Sequence, residues 1–259
     1  QTSITSFGAI ANDGIDDAAA LQQAINSIQG TGAVLIPAGD WDLQSTVRIP
    51  SGVVIRGNGA TSRLLVNHND HAFRITGSGT GTSAVTASRG YPRIISGAQK
   101  GSTQIALDDA SGFQPGSGIE LVQSHDTSVH DTDPAWVQSW AGRLIGMFNQ
   151  VAAVNGNQLT LVDPIRIDMD ETLGVWAAPV TYVSQAGLED LAIERIDRSD
   201  THLIYVQYAS NVWFRNIYTH MAAKSHYYLS QSRHLELRDN WLERSEEHTS
   251  ELQSRETIS

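Results

Sequence analysis

The sequence contains no cysteine and only two lysines, Lys100 and Lys224, among its 259 residues. The absence of cysteine excludes disulfide bonds, thiolate metal sites and cysteine nucleophiles. The formal net charge is −11. Because binding to nucleic-acid phosphates requires clustered lysine and arginine, nucleic acid is not a predicted partner. The same acidity would repel a polyanionic sugar unless a cation or a local basic groove intervenes.

Long apolar runs are absent as well. No stretch approaches the roughly 20 residues needed to span a bilayer, so a membrane is not a predicted partner. The chain opens at Gln1 without a recognisable signal peptide, so any export signal has been removed or never existed. With 40% hydrophobic residues, the chain can form one elongated domain or two compact ones.

The N-terminal segment carries the signals of a short helix. Asp16 and Asp17 are candidate N-caps, the apolar stripe runs from about Ala18 to Ile28, and Gly30 would end the helix. Three brief apolar runs follow, AVLIPAG, TVRIPSG and VVIRGNG, and each ends in glycine. Short strands without helices between them favour a β-solenoid or a sandwich over βαβ units. The helix is then predicted to cap one end.

The pattern of short strands returns near the C-terminus with a regular spacing. HLIYVQYASNV aligns with SHYYLSQSRHL at a separation of 23 residues, which places Ile204 beside Tyr227 and Val212 beside Leu235. An apolar residue also precedes an acidic or amide residue by two positions at Leu188/Asp190, Phe214/Asn216 and Leu237/Asp239. Periods of roughly 20 to 30 residues are typical of stacked coils, in which each coil buries its apolar face against the next. The repeat therefore predicts parallel neighbouring strands.

Residues 78–183 interrupt this period and are predicted to form strands and turns, with Asn155-Gly156 as a hairpin dipeptide. We therefore predict four segments. Residues 1–77 form the cap and first coils, residues 78–183 an inserted antiparallel β region, residues 184–243 further coils, and residues 244–259 a tail foreign to this pattern.

The N-terminal motifs resemble the opening of the pectate-lyase-like superfamily, which includes glycoside hydrolases related to polygalacturonases and many phage tailspikes. The residues that carry the resemblance are Phe7-Gly8-Ala9, Asp13-Gly14, Asp16-Asp17, Leu21-Gln22 and Ala24-Ile25, followed by VLIPAGDW and VVIRGNG. The resemblance implies an all-β fold, a right-handed, single-stranded parallel β-helix. It also implies a role in acting on or binding polysaccharide, in a bacterial protein that is secreted or extracellular. These motifs are structural, so they identify the fold better than the reaction.

The last residues resemble something other than a protein. RSEEHTSELQS, from Arg244 to Ser254, is similar at every residue to the in-frame translation of a common short-read sequencing adapter. We therefore expect the natural sequence to end at about Glu243 and the chain to be a truncated N-terminal fragment of a longer β-helix.

Hydrolysis in polygalacturonase-related enzymes uses paired carboxylates on either side of the glycosidic bond. The resemblance places these acids immediately before the coil strands, where this chain has SDTHLIYV and AAKSHYYL. His202, Lys224 and Ser225 stand at those positions, and Asp200 is the nearby acid. The residues therefore favour β-elimination over hydrolysis in these coils.

β-Elimination on a uronic acid needs a base for the C5 proton, an acid for the leaving oxygen, and positive charge or calcium beside the carboxylate. The predicted catalytic residues are Lys224, His226 and His202. The predicted substrate-binding residues of the coils are Tyr205, Tyr228 and His220. The alternative is an exposed polar face with stacked tyrosines. No ligand set for a metal is identified, and calcium is a candidate cofactor.

Two further features lie in the inserted region. Trp136 and Trp140 are four residues apart and would bind sugar rings if exposed, or anchor the insertion if buried. The segment SHDTSVHDTDPAW carries histidines and aspartates that either hold a cation or form a solvated loop, and their spacing matches no recognised ligand set.

These features predict a carbohydrate-active β-helix protein that acts on a uronic-acid-containing or related polysaccharide, as a lyase in preference to a glycoside hydrolase. The competing hypothesis is a noncatalytic glycan-binding or structural module, comparable to a tailspike or an adhesin.

Overall fold

The computed structural model describes residues 1–80, 90–123, 145–197 and 200–245. These residues form a mostly β protein with two compact units. The first unit contains Gln1–Thr76 and the described residues from Val183 onward, and the second contains Gly77–Tyr182. In the described parts of the chain, no helix is both long enough and apolar enough to cross a membrane.

Short strands predominate in both units. The first unit begins with β1 Thr2–Ser3, a 3-10 helix Ile4–Phe7, α1 Ala18–Asn26, β2 Gly32–Leu35, β3 Gly39–Leu43, β4 Val47–Arg48, β5 Val53–Arg56, β6 Ser62–Val66 and β7 Phe73–Thr76. The second unit contains β8 Arg93–Ser96, β9 Gln104–Leu107, β10 Gly118–Gln123, β11 Gly146–Asn155, β12 Gln158–Leu161, a 3-10 helix Glu171–Leu173 and β13 Val175–Val180. The first unit resumes with β14 Val183–Arg195, β15 His202–Gln207, β16 Ala209–Ala222, β17 Ser225–Ser230, β18 Arg233–Arg238 and β19 Trp241–Ser245.

Helix α1 begins at the predicted residue and ends two residues before the predicted stop at Ile28. Its Leu21, Ala24 and Ile25 are buried in the core of the first unit. The Asp16 side chain accepts a hydrogen bond from the Ala18 N–H at 3.0 Å. The helix therefore starts where a carboxylate can satisfy one of its unpaired N–H groups.

Two parallel sheets build the first unit. The first sheet follows the order β1-β2-β5-β14-β16-β18, with β6 and β19 also paired to β14 and β16, and the second sheet follows the order β17-β15-β7-β4. Ile204 pairs with Tyr227 in the second sheet, and Val212 pairs with Leu235 in the first. Both registers confirm the parallel pairing predicted from the 23-residue repeat, and the unit is a stack of parallel coils.

The coils turn at residues with left-handed backbone conformation. Asp190, Asn216 and Asp239 have φ angles of 55°, 52° and 56°, and asparagine and aspartate tolerate this conformation better than most residues. Asp190 divides β14 into one half that pairs with β5 and one half that pairs with β6. The Asn216 amide donates to Asp190 Oδ1 at 2.7 Å. The repeated Asp and Asn of the sequence are therefore stacked turn residues.

The second unit has a different construction. Its strands are antiparallel and close into one sheet in the order β10-β11-β12-β9-β8-β13. Ile94, Leu107, Ile119 and Leu121 are buried inside it.

The hairpin of the second unit lies one residue later than predicted. Asn155 pairs with Gln158, so Gly156 and Asn157 form the two-residue loop instead of Asn155 and Gly156. Gly156 has a φ of 57°, which suits glycine at the first loop position of a hairpin turn.

Candidate functional site

The second sheet presents a row of rings on its outer face. Ile204 and Val206 of β15 are fully buried, whereas Tyr205 between them is partly exposed, because successive side chains of a strand point to opposite faces. The register places Arg74 of β7 and Tyr228 of β17 on either side of Tyr205. We call His71, His202, Tyr205 and Tyr228 the aromatic ladder.

His71, Tyr205 and Tyr228 stack in the direction in which the strands repeat, and His202 lies beside Tyr205 in the same strand, between His71 and Tyr228. Ring centroids are 4.8 Å apart for Tyr205 and Tyr228, 4.6 Å for His202 and Tyr228, and 4.7 Å for His71 and Tyr205. These distances match the strand separation of about 4.8 Å, and each such pair adds about 1 kcal/mol. Because each ring covers the face of its neighbour, the ladder offers mainly ring edges, with their hydroxyl groups and ring nitrogens, to a ligand.

Arg74 supplies the positive charge beside the ladder. Its guanidinium carbon lies 5.5 Å from the centroid of the Tyr205 ring, within the range of a cation–π contact. Its Nη2 donates to both carboxylate oxygens of Asp70, at 2.9 and 3.2 Å. Burial alone would raise the pKa of Asp70, but hydrogen bonds from Arg74 and from the His71 N–H lower it to about 2. Asp70 is therefore ionised at neutral pH and fixes Arg74 in place.

Hydrogen bonds determine the tautomers of both ladder histidines. His71 Nδ1 lies 2.8 Å from the His202 carbonyl oxygen, which can only accept, so this nitrogen carries a hydrogen. His202 Nδ1 lies 2.7 Å from the Ser225 hydroxyl, which itself donates to the Tyr227 carbonyl at 3.1 Å. His202 Nδ1 is therefore also a donor, so Nε2 is the nitrogen without a hydrogen whenever this ring is neutral. Burial lowers the pKa of His71, which favours the neutral ring there.

A polar row continues the site beside the tyrosines. The Tyr205 hydroxyl donates to Gln207 Oε1 at 3.2 Å, and Gln207 Nε2 donates to Gln231 Oε1 at 2.5 Å. Burial and the neighbouring Tyr228 raise the pKa of Tyr205, so its hydroxyl keeps its proton. The face thus combines fixed donors and acceptors with ring edges, and ligand sites commonly pair an aromatic lining with a few placed polar groups of this kind.

The structure brings three of the predicted site residues together, namely His202, Tyr205 and Tyr228. Lys224 is exposed in the turn that precedes β17, where its N–H donates to the Thr201 carbonyl at 3.4 Å. His226 is 8% exposed within β17. These two predicted catalytic residues therefore lie near the ladder in sequence but outside its stack.

His220 belongs to β16 in the first sheet and is separate from the ladder. Its Nδ1 lies 3.3 Å from Glu194 Oε1, and the Tyr218 ring stacks 6.4 Å from it. Trp136, Trp140 and the histidine- and aspartate-rich segment around them lie outside the described residues.

Sequence reasoning missed two residues of this face, His71 and Arg74. A signal was present, because HAFRIT and HLIYVQ both begin with histidine, and the structure pairs Phe73 with Ile204 in that alignment. The two segments are 131 residues apart, with the second unit between them, so a search for a period of about 23 residues could not relate them.

The described residues do not fit a calcium site. They contain no group of three or more His, Asp or Glu side chains arranged to hold a metal ion, whereas calcium takes six to eight oxygen ligands. On the ladder face the carboxylate in contact with the rings is Asp70, which is paired with Arg74. The paired acids required for hydrolysis are not found among the described residues of this face.

Comparison with known proteins adds a family and a fold. A family model described as rhamnogalacturonase A/epimerase, pectate lyase-like, matches residues 1–232. No curated protein matches the chain in sequence. Among solved structures, the tailspike protein gp49 of Pseudomonas phage LKA1 is 19% identical with a TM-score of 0.66, over 90% of this chain and 40% of the tailspike.

Two further tailspikes have similar structures. The gp54 tailspike of Acinetobacter baumannii bacteriophage AP22, solved in complex with A. baumannii capsular saccharide, is 12% identical with a TM-score of 0.59, over 89% of this chain and 37% of that one. The gp61 tailspike of Pseudomonas phage phi297 is 18% identical with a TM-score of 0.59, over 84% of this chain and 38% of that one. The chain therefore spans about two fifths of the length of these proteins, with which it shares a parallel β-helix.

Proposed function

We propose that this chain, which belongs to the rhamnogalacturonase A/epimerase, pectate lyase-like family, binds a polysaccharide along the aromatic ladder. The observation that carries the proposal is the stack of His71, Tyr205 and Tyr228 across three neighbouring coils, with His202 beside Tyr205 and a hydrogen-bonded pair of glutamines next to them. The AP22 tailspike, which has a similar fold and was solved with capsular saccharide, supports a carbohydrate ligand. An extracellular or surface location fits such a ligand.

The spacing of the ladder suits a polymer. Coils repeat about every 4.8 Å, a distance comparable to the length of one pyranose unit, so a sugar chain lying along the stack meets about one coil per sugar. Each coil then offers an apolar ring edge and a polar group, such as the Tyr205 hydroxyl or the Gln207 amide. Binding energy accumulates over several weak, similar contacts.

Charge narrows the class of polymer. The net charge of −11 disfavours a densely anionic chain, because long-range repulsion slows its approach. Arg74 offers one cation beside the ladder, already paired with Asp70. A polysaccharide with occasional uronic acids, rather than one at every position, fits both observations.

Affinity electrophoresis tests this proposal. The chain is run through gels containing rhamnogalacturonan, polygalacturonate, alginate or neutral galactan, and we expect retardation in rhamnogalacturonan with less in the fully anionic polymers. Tyr205→Ala and Tyr228→Ala should abolish the retardation, whereas His220→Ala in the first sheet should keep it. Retardation that survives both tyrosine variants, or that disappears in His220→Ala, would assign binding to another surface.

A second candidate function is β-elimination on the same face, and the tautomer of His202 favours it. Its Nε2 is the basic nitrogen of the neutral ring, and Arg74 provides positive charge on the same face. In this reaction Nε2 removes the C5 proton of a uronic acid, the electron pair forms the C4–C5 double bond, and the C4–O bond breaks. The leaving oxygen takes a proton from Lys224 or from water.

Formation of unsaturated products from a uronic-acid polymer tests the lyase hypothesis. We expect slow turnover that is lost in His202→Ala. Tyr228→Phe serves as the control, because it keeps the ring that stacks on His202. Absence of unsaturated products, together with retained polymer binding, would leave binding as the function of this face. Turnover that is unchanged in His202→Ala would exclude His202 as the base.

A further inference from the structure

A shallow cavity of about 550 Å³, largely open to solvent, lies on the outer face of the first sheet, away from the sheet that carries the aromatic ladder. Small residues line it from β2, from β5 and from the turn that precedes β5: Gly32, Ala33, Val54 and Gly52. Polar and aromatic residues also line it: Gln1, Thr31, Arg56, Gln185 and Trp213. This size and mixed lining are those of a small-molecule site.

The register explains why the sheet is concave here. Ala33, Val54, Gly187 and Trp213 follow one another in adjacent strands, so three small residues precede a tryptophan in a single row. A Cβ atom on Gly187 would lie 2.7 Å from Trp213 Nε1 and 2.8 Å from Trp213 Cε2. The absence of a side chain at Gly187 therefore lets the indole lie across β14 and reach towards β5.

A single carboxylate holds both of the larger walls. Glu189 Oε1 accepts the Trp213 Nε1–H at 2.7 Å, and Glu189 Oε2 accepts the Arg56 Nε–H at 2.7 Å. The Glu189 side chain is 13% exposed. On the other side, the Arg215 guanidinium carbon lies 5.3 Å from the centroid of the Trp213 ring, and Arg215 Nη2 donates to Glu236 Oε2 at 2.7 Å. The indole and the Arg56 guanidinium are therefore fixed before any ligand binds, which lowers the entropic cost of binding.

We propose that this cavity is a second saccharide site, independent of the aromatic ladder, and that it binds one uncharged pyranose. The carbon-bound hydrogens of the sugar would pack on the Trp213 ring, and its hydroxyls would bind the guanidinium donors of Arg56 that Glu189 leaves unused and the Gln185 amide. An uncharged sugar is favoured over a uronic acid because Glu189 already balances the charge of Arg56. A second site would let the chain hold a branch or a terminal sugar while the ladder holds the main chain.

The test uses the full chain and a panel of methyl pyranosides with gluco, galacto, manno and 6-deoxy configurations. Each tryptophan indole N–H gives one proton–nitrogen NMR signal, and the signal that vanishes in Trp213→Phe identifies Trp213. We expect at least one glycoside, at tens of millimolar, to shift the Trp213 signal in a saturable manner. Val54→Trp should fill the cavity and weaken this binding about tenfold or more, while leaving the fold intact.

The controls separate this site from the ladder. Tyr205→Ala should leave the Trp213 shift unchanged even if it abolishes retardation by polysaccharide, so failure of one proposal does not imply failure of the other. Val54→Ala, which keeps the cavity open, should bind like the unmodified chain. The proposal is overturned if no glycoside shifts the Trp213 signal, or if Val54→Trp binds as tightly as Val54→Ala.

Discussion

The outer faces of the two parallel sheets differ in how they fill equivalent positions of successive coils. On the second sheet, Tyr205 and Tyr228 are neighbours in register and stack. On the first sheet, Arg56, Glu189 and Arg215 are neighbours in register and alternate in charge. Because parallel neighbours lie about 4.8 Å apart, identical rings can adjoin favourably, whereas identical charges cannot.

The end of the charged row supports this rule. Arg215 and Arg238 are neighbours in register, which would place two positive charges side by side. Glu236 contacts both guanidinium groups, at 2.7 Å from Arg215 and 3.5 Å from Arg238. The charged row of the first sheet therefore needs a carboxylate from an adjacent row, whereas Tyr205 and Tyr228 of the second sheet adjoin directly and Arg74 covers the other face of Tyr205.

The largest effect on stability should come from adding a side chain at Gly187, beside the Trp213 indole on the first sheet. Gly187→Ala places a Cβ atom 2.6 Å from the Trp213 carbonyl oxygen, so both the strand and the indole must shift. We expect a loss of about 2 to 3 kcal/mol in the free energy of unfolding, measured by urea denaturation, and a changed Trp213 indole signal. Gly112→Ala is the matched control, because its added Cβ would meet no atom within 4 Å. If Gly187→Ala lost less unfolding free energy than Gly112→Ala, β14 and β16 would be able to accommodate the added methyl group at little cost.

A smaller effect should follow from removing the carboxylate that joins Arg56 to Trp213. Glu189→Ala leaves the Trp213 N–H without its acceptor and Arg56 without its ion pair. We expect a loss of about 1.5 kcal/mol, because the Arg56 side chain is 40% exposed and water can replace part of the contact. Glu189→Gln, which keeps an acceptor for the indole, should recover about half of this loss. Equal losses in both variants would show that charge alone matters.

The fold could be predicted further from the sequence than the site could. The coil period, the turn residues Asp190 and Asn216, and the helix start at Ala18 depend on local pattern and on a repeat of about 23 residues, both visible in one chain. The site depends on which strands become neighbours although the sequence of the second unit separates them along the chain. Arg74 reaches Tyr205 only because β7 pairs with β15, and no local pattern records that pairing.

The cavity beside Trp213 was invisible for the same reason. Ala33, Val54 and Gly187 are ordinary small residues until the register places them in one row. His226 illustrates the converse: its residue type suggested a role on the surface, and the register of β17 leaves its side chain only 8% exposed. Residue type indicates what a side chain can do, but the register decides what it can reach.

The two kinds of row should respond differently to salt. A double-mutant cycle of Tyr205→Ala with Tyr228→Ala should give a coupling energy of about 1 kcal/mol that molar salt leaves unchanged. The cycle of Arg56→Ala with Glu189→Ala should give about 0.5 to 1 kcal/mol and fall in molar salt, because exposed charges are screened. Salt-sensitive coupling between the tyrosines would contradict the assignment of their contact to stacking.

The smallest expected effect concerns pH and the ladder end near His71. Burial lowers the pKa of His68 and of His71 from the ordinary value of 6.5. Below about pH 6.5 the unfolded chain takes up protons at these histidines before the folded chain does. Their contribution to stability is therefore fully present above pH 6.5 and is lost as the pH falls through that value towards their lower folded pKa. We expect the free energy of unfolding to decline on acidification over this range.

A comparison of variants isolates the part due to His71. Burial raises the pKa of Asp17 and Asp42, and these carboxyls act in the opposite direction as the pH falls, so the informative quantity is the difference between chains. His71→Gln keeps an N–H donor for the His202 carbonyl but does not titrate, so it should lose less stability between neutral and mildly acidic pH than the unmodified chain does. His234→Gln, at an exposed position, should follow the unmodified chain. If the unfolding free energy of His71→Gln declines on acidification as much as that of the unmodified chain, His71 is not a source of the pH dependence. The aromatic ladder would then be no more sensitive to acid than the charged row of the first sheet.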